Sequence, residues 1–292
     1  MGLVLNVVVL HFQHWPGVRP TLDSVLEQLP SRATVQVIDN GSADGSAELI
    51  AAAYPTVSVT RVSENRGYGA GMNVGIELAG DIRAHLLLTH DCVLAPGALD
   101  TLLDRLEQDA RLGAVGPLTC FLSKPNMVFS AGGTIDSRTH MPAHIGWREQ
   151  VDNYQGREPY AVGWITGSCV LARGELFESV GRFDEEYFMY FEETDFFVRA
   201  VSEGWRVECV PAALAWQEPG PRPVALWTRN EIRFLKRNFG LRAAGRQLAT
   251  DAARIGRNLV SRNPAGRTRA RQIARGVSAI ALRTPPKNLY QT

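Results

Sequence analysis

The chain is short of cysteine, and what it has is scattered. Cys92, Cys120, Cys169 and Cys209 lie far apart, with no C-x-x-C pair and mostly apolar neighbours. That argues against a disulfide framework and against a zinc site built on paired thiols, and predicts buried reduced cysteines. No apolar run reaches the roughly 18 residues of a membrane-spanning helix. The opening "MGLVLNVVVL" is apolar but carries no basic stretch and no small-residue cleavage site, so a cytoplasmic protein is expected. Net charge is also missing. Lys plus Arg is 31 against 30 Asp plus Glu, a formal +1, which gives no sign of a nucleic-acid or other polyanion partner. Two phosphate-binding signatures are absent as well. There is no G-x-x-x-x-G-K-[ST], and in "NRGYGAGMNVG" a G-x-G-x-x-G fails at Met72 in one register and at Val74 in the other. Neither internal repeats nor low-complexity segments are found.

What is present is enough apolar residue, 45% of 292, for a substantial core. "LNVVVLHF" reads as a buried strand, and Leu22, Val25, Leu26 and Leu29 follow at helical spacing. A second strand over 34–38 runs into Asp39 and a turn containing Asn40, Gly41, Asp44 and Gly45. Helix, strand, helix and strand then alternate through "AHLLLTH", with Pro96 suited to the start of the next helix. That alternation predicts a mostly parallel sheet covered on both faces. Residues 117–160 read as loops and a β-ribbon. "VGWITGSCVLA" reads as a strand, "EETDFFVRAVSEG" as a helix stopped by Gly204, and "WRVECVP" as a strand. From residue 226 onward the pattern is helical and basic, with a break at "RNPAG". From Arg229 to the end, 15 of the chain's 31 basic residues face only two of its 30 acids, so the body is acidic and the tail basic.

Parallel sheets bind ligands at the carboxyl ends of their strands. Asp39, then Asn65 and Arg66, then Asp91 follow the second, third and fourth strands. In order along residues 5–218, "VVVLHF", "VIDNGSADGS", "ENRGYGAGMNVGI", "LLLTHDCVLAPGAL", "VGWITGSCVLARGELFESVGRFDEEYFMYFEETDFFVRA" and "GWRVECVP" together resemble family 2 glycosyltransferases, and among them the rhamnosyltransferase-like branch.

The resemblance implies a GT-A fold: an α/β, Rossmann-like, mostly parallel sheet flanked by helices over 1–225, with a basic helical extension over 226–292. It implies inverting transfer of a sugar, such as the deoxyhexose rhamnose, from a TDP- or UDP-linked donor to a hydroxyl acceptor. Asp39 would accept the base's imide N–H. Leu10, His11, Phe12, Asn65, Gly67, Gly71, Asn73 and Asp91 would surround the nucleotide. The glycines serve equally as a tight strand-to-helix turn. Asp91, in Thr89-His90-Asp91, stands where the family binds Mg²⁺ or Mn²⁺, and Gln217 stands where a second ligand, usually histidine, is expected. A neutral amide there weakens the ion's hold.

Glu193 falls on the family's base position, with Glu192 beside it. Flanking aromatics would raise their pKa values while the helix N-terminus opposes that rise. Trp164, Gly167 and Asp195 would face the acceptor. Trp164 suits the core equally well, and Asp195 suits an i, i+4 pair with Arg199. Arg182 reaches either phosphate or Asp184 and Glu185. The tail suits docking on the acidic body, or lying on an anionic membrane to meet a lipid-linked acceptor. Tailoring of a small natural product, and nucleotide-sugar binding without catalysis, remain open.

Overall fold

The computed structural model describes residues 4–260 and 264–290. The β-branched run becomes strand β1 (Leu5–His11), buried at every position. It lies between β2 (Ala33–Asp39) and β4 (Ala84–Thr89), parallel to both, and β3 (Ser58–Arg61) extends the row beyond β2. The order 3-2-1-4 reverses direction between β1 and β4, which opens a crevice at their carboxyl ends.

The parallel expectation holds for these four strands, and the second half of the sheet is mixed. After the short β5 (Val93–Leu94) come β6 (Leu112–Phe121), β7 (Lys124–Ser130), a separate hairpin of β8 (Gly133–Ile135) and β9 (Pro142–His144), β10 (Tyr160–Ala161), β11 (Cys169–Arg173) and β12 (Arg206–Gln217). The main path runs β10-β12-β6-β11-β4-β1-β2-β3, with β11 antiparallel to both neighbours and β12 parallel to β6. Strand β6 runs fully buried into a region expected to be loops; Gly113, Gly116 and Pro117 dilute its β signal, and Gly116 is needed because a Cβ there would meet Ile165 at 2.3 Å. Conversely, 162–168 is irregular, and only Cys169–Arg173 of the strand expected there forms.

Helices α1 (Trp15–Leu26), α2 (Ser46–Ala53) and α4 (Ala98–Gln108) cover one face of the sheet; α3 (Tyr68–Ala79), α5 (Gly174–Val180) and α6 (Glu192–Ser202) cover the other. All four cysteines are buried and free, as the spacing predicted.

The basic tail folds back on the body. Helix α7 (Val224–Val260) is interrupted at Gly240, whose φ of 82° and ψ of 178° are not helical. Helices α8 (Pro264–Ala281) and α9 (Lys287–Tyr290) return along it. The expected break at "RNPAG" begins outside the described residues. Ile232, Phe234 and Leu235 of α7 pack on Tyr187 and Phe191. Arg233 and Arg237 both pair with Asp184, and Lys287 reaches Glu64 at 2.8 Å. Among the described residues no helix is long and apolar enough to cross a membrane.

Candidate active site

A cleft of about 420 Å³ opens where the strand order reverses. Its strand-end wall carries Leu10, Phe12, Asn65, Gly67 and Asp91; its opposite wall carries Gly167, Glu192 and Glu193, and Gln217 also lines it. Asp91 and Glu193, 102 positions apart in sequence, thus share one cavity.

Local chemistry builds each wall. Asn40 joins two strand-end loops: its amide donates to Asn65 Oδ1 at 3.1 Å and to the Gly67 carbonyl at 3.0 Å, while its Oδ1 accepts from the Arg66 N–H at 3.1 Å. Gly67 has a φ of 86°, and a Cβ there would meet the Phe188 carbonyl at 1.9 Å, so only glycine lets this turn approach the opposite wall. Asp44 accepts from Ser46 N–H and Oγ in an Asx-turn ahead of α2, and the Ser46 hydroxyl helps hold its pKa at about 2.

The opposite wall is the N-terminus of α6. Phe188, Tyr190 and Phe191 take φ values of 65°, 71° and 76°, a left-handed conformation that bulky residues adopt only under constraint. The constraint comes from the tail. Asn230 of α7 is fully buried, and its amide lies within hydrogen-bond distance of the carbonyls of Tyr187 (2.9 Å), Met189 (2.8 Å) and Tyr190 (3.0 Å). The sequence reading missed Asn230, because nothing in "TRNEIRF" links it to a loop forty residues away.

Glu192 is 3% exposed and Glu193 partly buried beside it. Burial pushes Glu192 well above the usual carboxylate range, with the Glu193 charge adding to the rise. Burial raises Glu193 to about 7, against backbone N–H groups that lower it. Buried polar atoms are normally paired. Among the described residues eight buried side-chain polar atoms have no hydrogen-bond partner, and five of them belong to His11, Asp39, Glu192, Glu193 and Gln217. Of these, Glu192, Glu193 and Gln217 line the cleft, where a bound ligand would satisfy their free oxygens.

Residues 6–167 match the description of Glycosyl transferase family 2. Over 236 residues the chain is 32% identical to the N-acetylglucosaminyl-diphospho-decaprenol L-rhamnosyltransferase of Mycobacterium tuberculosis (strain ATCC 25618 / H37Rv), covering 72% of this chain and 74% of that protein. The chain belongs to glycosyl transferase family 2. An O-antigen biosynthesis protein, RfbC of Myxococcus xanthus, is 30% identical over 112 residues, which is 37% of this chain and 9% of that protein.

Two solved structures share the glycosyltransferase's GT-A fold. GalNAc-T7 with UDP, GalNAc and Mn²⁺ superposes with a TM-score of 0.65 at 17% identity over 80% of this chain, which spans about half (48%) of that one. The mannosyltransferase PcManGT from Pyrobaculum calidifontis, in complex with GDP-Man and Mn²⁺, gives 0.59 at 14% identity, covering 97% of this chain and 88% of that one.

Several expected residues of this glycosyltransferase lie behind the cleft wall instead of on it. Asp39 is fully buried, accepts from Ser42 N–H and Oγ, and has Arg61 Nε 3.4 Å from its Oδ2. His11 contacts Ser46 Oγ at 2.7 Å, and its pKa is lowered to about 4, chiefly by burial. Asn73 grips the Phe183 backbone, accepting at 3.1 Å and donating at 2.9 Å, and Gly71 makes room for Leu10. Trp164 is 4% exposed and donates to the Thr134 carbonyl at 3.3 Å, the core reading of that residue. Asp195 is fully buried among Arg199 (3.0 Å), Arg237 (3.3 Å) and Asn238 (2.8 Å), so its charge is spent on the α6–α7 contact. Arg182 bonds the Asn73 carbonyl at 3.2 Å, while Asp184 and Glu185 pair with other arginines.

Gln217 Nε2 stands 3.5 Å from both Asp91 Oδ1 and Thr89 Oγ1, and its amide oxygen is one of the orphaned atoms. Among the described residues no group of three or more His, Cys, Asp or Glu forms a cage that would hold an ion alone. One carboxylate and one amide oxygen on a cleft nevertheless fit a hard divalent ion that takes its remaining ligands from phosphate and water.

Proposed function

We propose that this glycosyltransferase moves L-rhamnose or a related deoxyhexose, with inversion, from a TDP- or UDP-linked donor to a hydroxyl of a sugar carried on a lipid diphosphate. The rhamnosyl group and the lipid-diphosphate acceptor are carried over from the mycobacterial relative's name, and the TDP or UDP carrier from the family resemblance. The observation that supports the chemistry is the pair of carboxyls at Glu192 and Glu193, each with one buried oxygen left without a partner, on the wall facing Asp91.

In this reading Glu193 is the base. It takes the acceptor hydroxyl proton as that oxygen bonds the anomeric carbon, and the carbon–oxygen bond to the diphosphate breaks with its electron pair leaving on the nucleotide. Glu192, held toward its neutral form, hydrogen-bonds acceptor or sugar without adding a second charge. Asp91 and Gln217 would hold Mg²⁺ or Mn²⁺, which supplies charge neutralisation at the diphosphate. Asp39 is assigned to the base's imide N–H, which requires the half-exposed Arg61 to give way. A lipid-linked acceptor implies work at a membrane surface, and the tail offers Leu241, Leu259 and Val260, all well exposed, among arginines.

A thermal-shift panel of UDP-, TDP- and GDP-sugars with and without Mn²⁺, followed by transfer assays on the best binder, tests this. Stabilisation by a TDP- or UDP-sugar, strengthened by Mn²⁺ and followed by turnover, is expected. Binding without turnover on any hydroxyl acceptor would leave a nucleotide-sugar-binding protein, and no stabilisation by any donor would remove the proposal.

A further inference from the structure

A second cavity, of about 350 Å³, lies between the α7–α8 hairpin and Met141 at the tip of the β8–β9 hairpin. Its walls carry Arg222, Arg254, Arg269, Trp227, Glu231 and Asp251. None of these took part in the reading of the first cleft. Yet the two spaces adjoin: Pro221 lines the first and Arg222 the second, and Tyr190, which lines the first, has its ring 5.8 Å from Trp227 in the second. The Arg222 charge also acts on Glu193.

The charges in this cavity do not cancel. Asp251 is matched by Arg254 at 3.1 Å and by the Gln247 amide at 3.3 Å. Glu231 is 5% exposed and its carboxyl has no hydrogen bond among the described residues, and burial, with Asp251 next, raises it to about 7. Arg222 and Arg269 have no carboxylate within ion-pairing distance among the described residues; Arg222 instead lies over the Trp227 ring at 4.0 Å. Two unmatched guanidiniums and an aromatic face, in a cavity that adjoins the first cleft, suit an anion attached to a sugar.

We propose that this cavity receives the diphosphate of the acceptor, with Arg222 and Arg269 as its cationic partners and the Tyr190–Trp227 side carrying the sugar whose hydroxyl reaches Glu193. The inference rests on the function proposed above and adds where the acceptor's charged group sits. The tail thereby supplies one of the two substrate sites, not a separate appendage.

Binding is measured on the full-length protein with Mn²⁺ and excess nucleoside diphosphate filling the first cleft. The probes are a sugar diphosphate with a short alkyl tail and the same sugar as a neutral alkyl glycoside. Arg269→Gln, a change at an exposed and unmatched residue, should weaken the diphosphate about tenfold and leave the neutral glycoside and the nucleotide sugar unchanged. Equal affinity of both proteins for the diphosphate, equal loss for both probes, or no binding by the wild-type protein would each overturn the site. Anionic vesicles run alongside separate a lipid surface from a substrate: loss confined to vesicles also overturns it. Failure of the glycosyltransfer reading has a different signature, namely absence of nucleotide-sugar binding and turnover while the sugar diphosphate still binds.

Discussion

The two walls of the cleft are made by opposite means. The strand-end wall is set by β-sheet register: once β1, β2 and β4 align, Leu10 and Asp91 emerge at one edge on short connections. The α6 wall is set by a loop of aromatics in left-handed conformations, tied down by Asn230 from α7. The first wall is inherited from the fold, and the second depends on the tail. Donor affinity and turnover should therefore respond to different parts of the molecule.

The largest effect expected is at Glu193. Glu193→Gln keeps the shape of the wall and removes the proposed base, so turnover should fall roughly 10²- to 10⁴-fold with nucleotide-sugar affinity nearly intact. Steady-state rates beside direct donor titrations measure this, and undiminished turnover would take Glu193 out of the role. The same carboxyl ties activity to pH. With its pKa raised to about 7, Glu193 gains base form as pH rises, so kcat should climb through that range and the Gln variant's residual rate should not.

Stability should run the other way. The folded-state pKa lies above the ordinary 4.5, so the folded protein holds a proton that the unfolded chain has released. The stability this proton contributes is whole below about 4.5 and is lost as pH rises through about 7. Melting temperatures of wild type and Glu193→Gln from about pH 5 to about pH 8 should diverge, the variant gaining on the wild type as pH rises; parallel curves would mean the group is not buried as described.

Asn230→Ala tests the dependence of the second wall on the tail. It strands carbonyls of Tyr187, Met189 and Tyr190 and frees a strained loop, at a cost of about 1–3 kcal/mol in stability. Turnover should drop about tenfold, with nucleotide-sugar affinity unchanged because the strand-end wall is untouched. Asn230→Asp should be no better, since a carboxylate cannot donate to carbonyls. An equal fall in donor affinity would show that the walls are not independent.

The sequence disclosed these walls unequally for a physical reason. Strand-end residues are legible because sheet periodicity fixes where a strand stops, and Asp91 and Asn65 stop there. Glu192 and Glu193 are legible because acids among aromatics conflict with burial. Asp195 looks the same in one dimension, and only packing against Arg199, Arg237 and Asn238 assigns it to structure. Trp164 was ambiguous in the same way until Gly133 and Thr134 closed over it. Asn230 left no trace, because its partners are brought near by the return of a tail whose helical pattern carries no address.

The smallest effect expected concerns the ion. Gln217 brings its amide to the cleft beside Asp91, with Nε2 3.5 Å from Asp91 Oδ1 and its oxygen buried and unpartnered, whereas an imidazole nitrogen there would be a ligand that Mn²⁺ accepts more readily than Mg²⁺. Gln217→His should therefore lower the Mn²⁺ concentration giving half-maximal donor binding about tenfold, shift Mg²⁺ less, and leave kcat at saturating ion little changed. The strand-end wall should register the substitution most, because among the described residues the Gln217 side chain hydrogen-bonds Thr89 and Asp91 and not the 187–191 loop. A variant whose ion requirement matches the wild type for both metals would place the ion away from Gln217 and leave its orphaned oxygen for the nucleotide sugar itself.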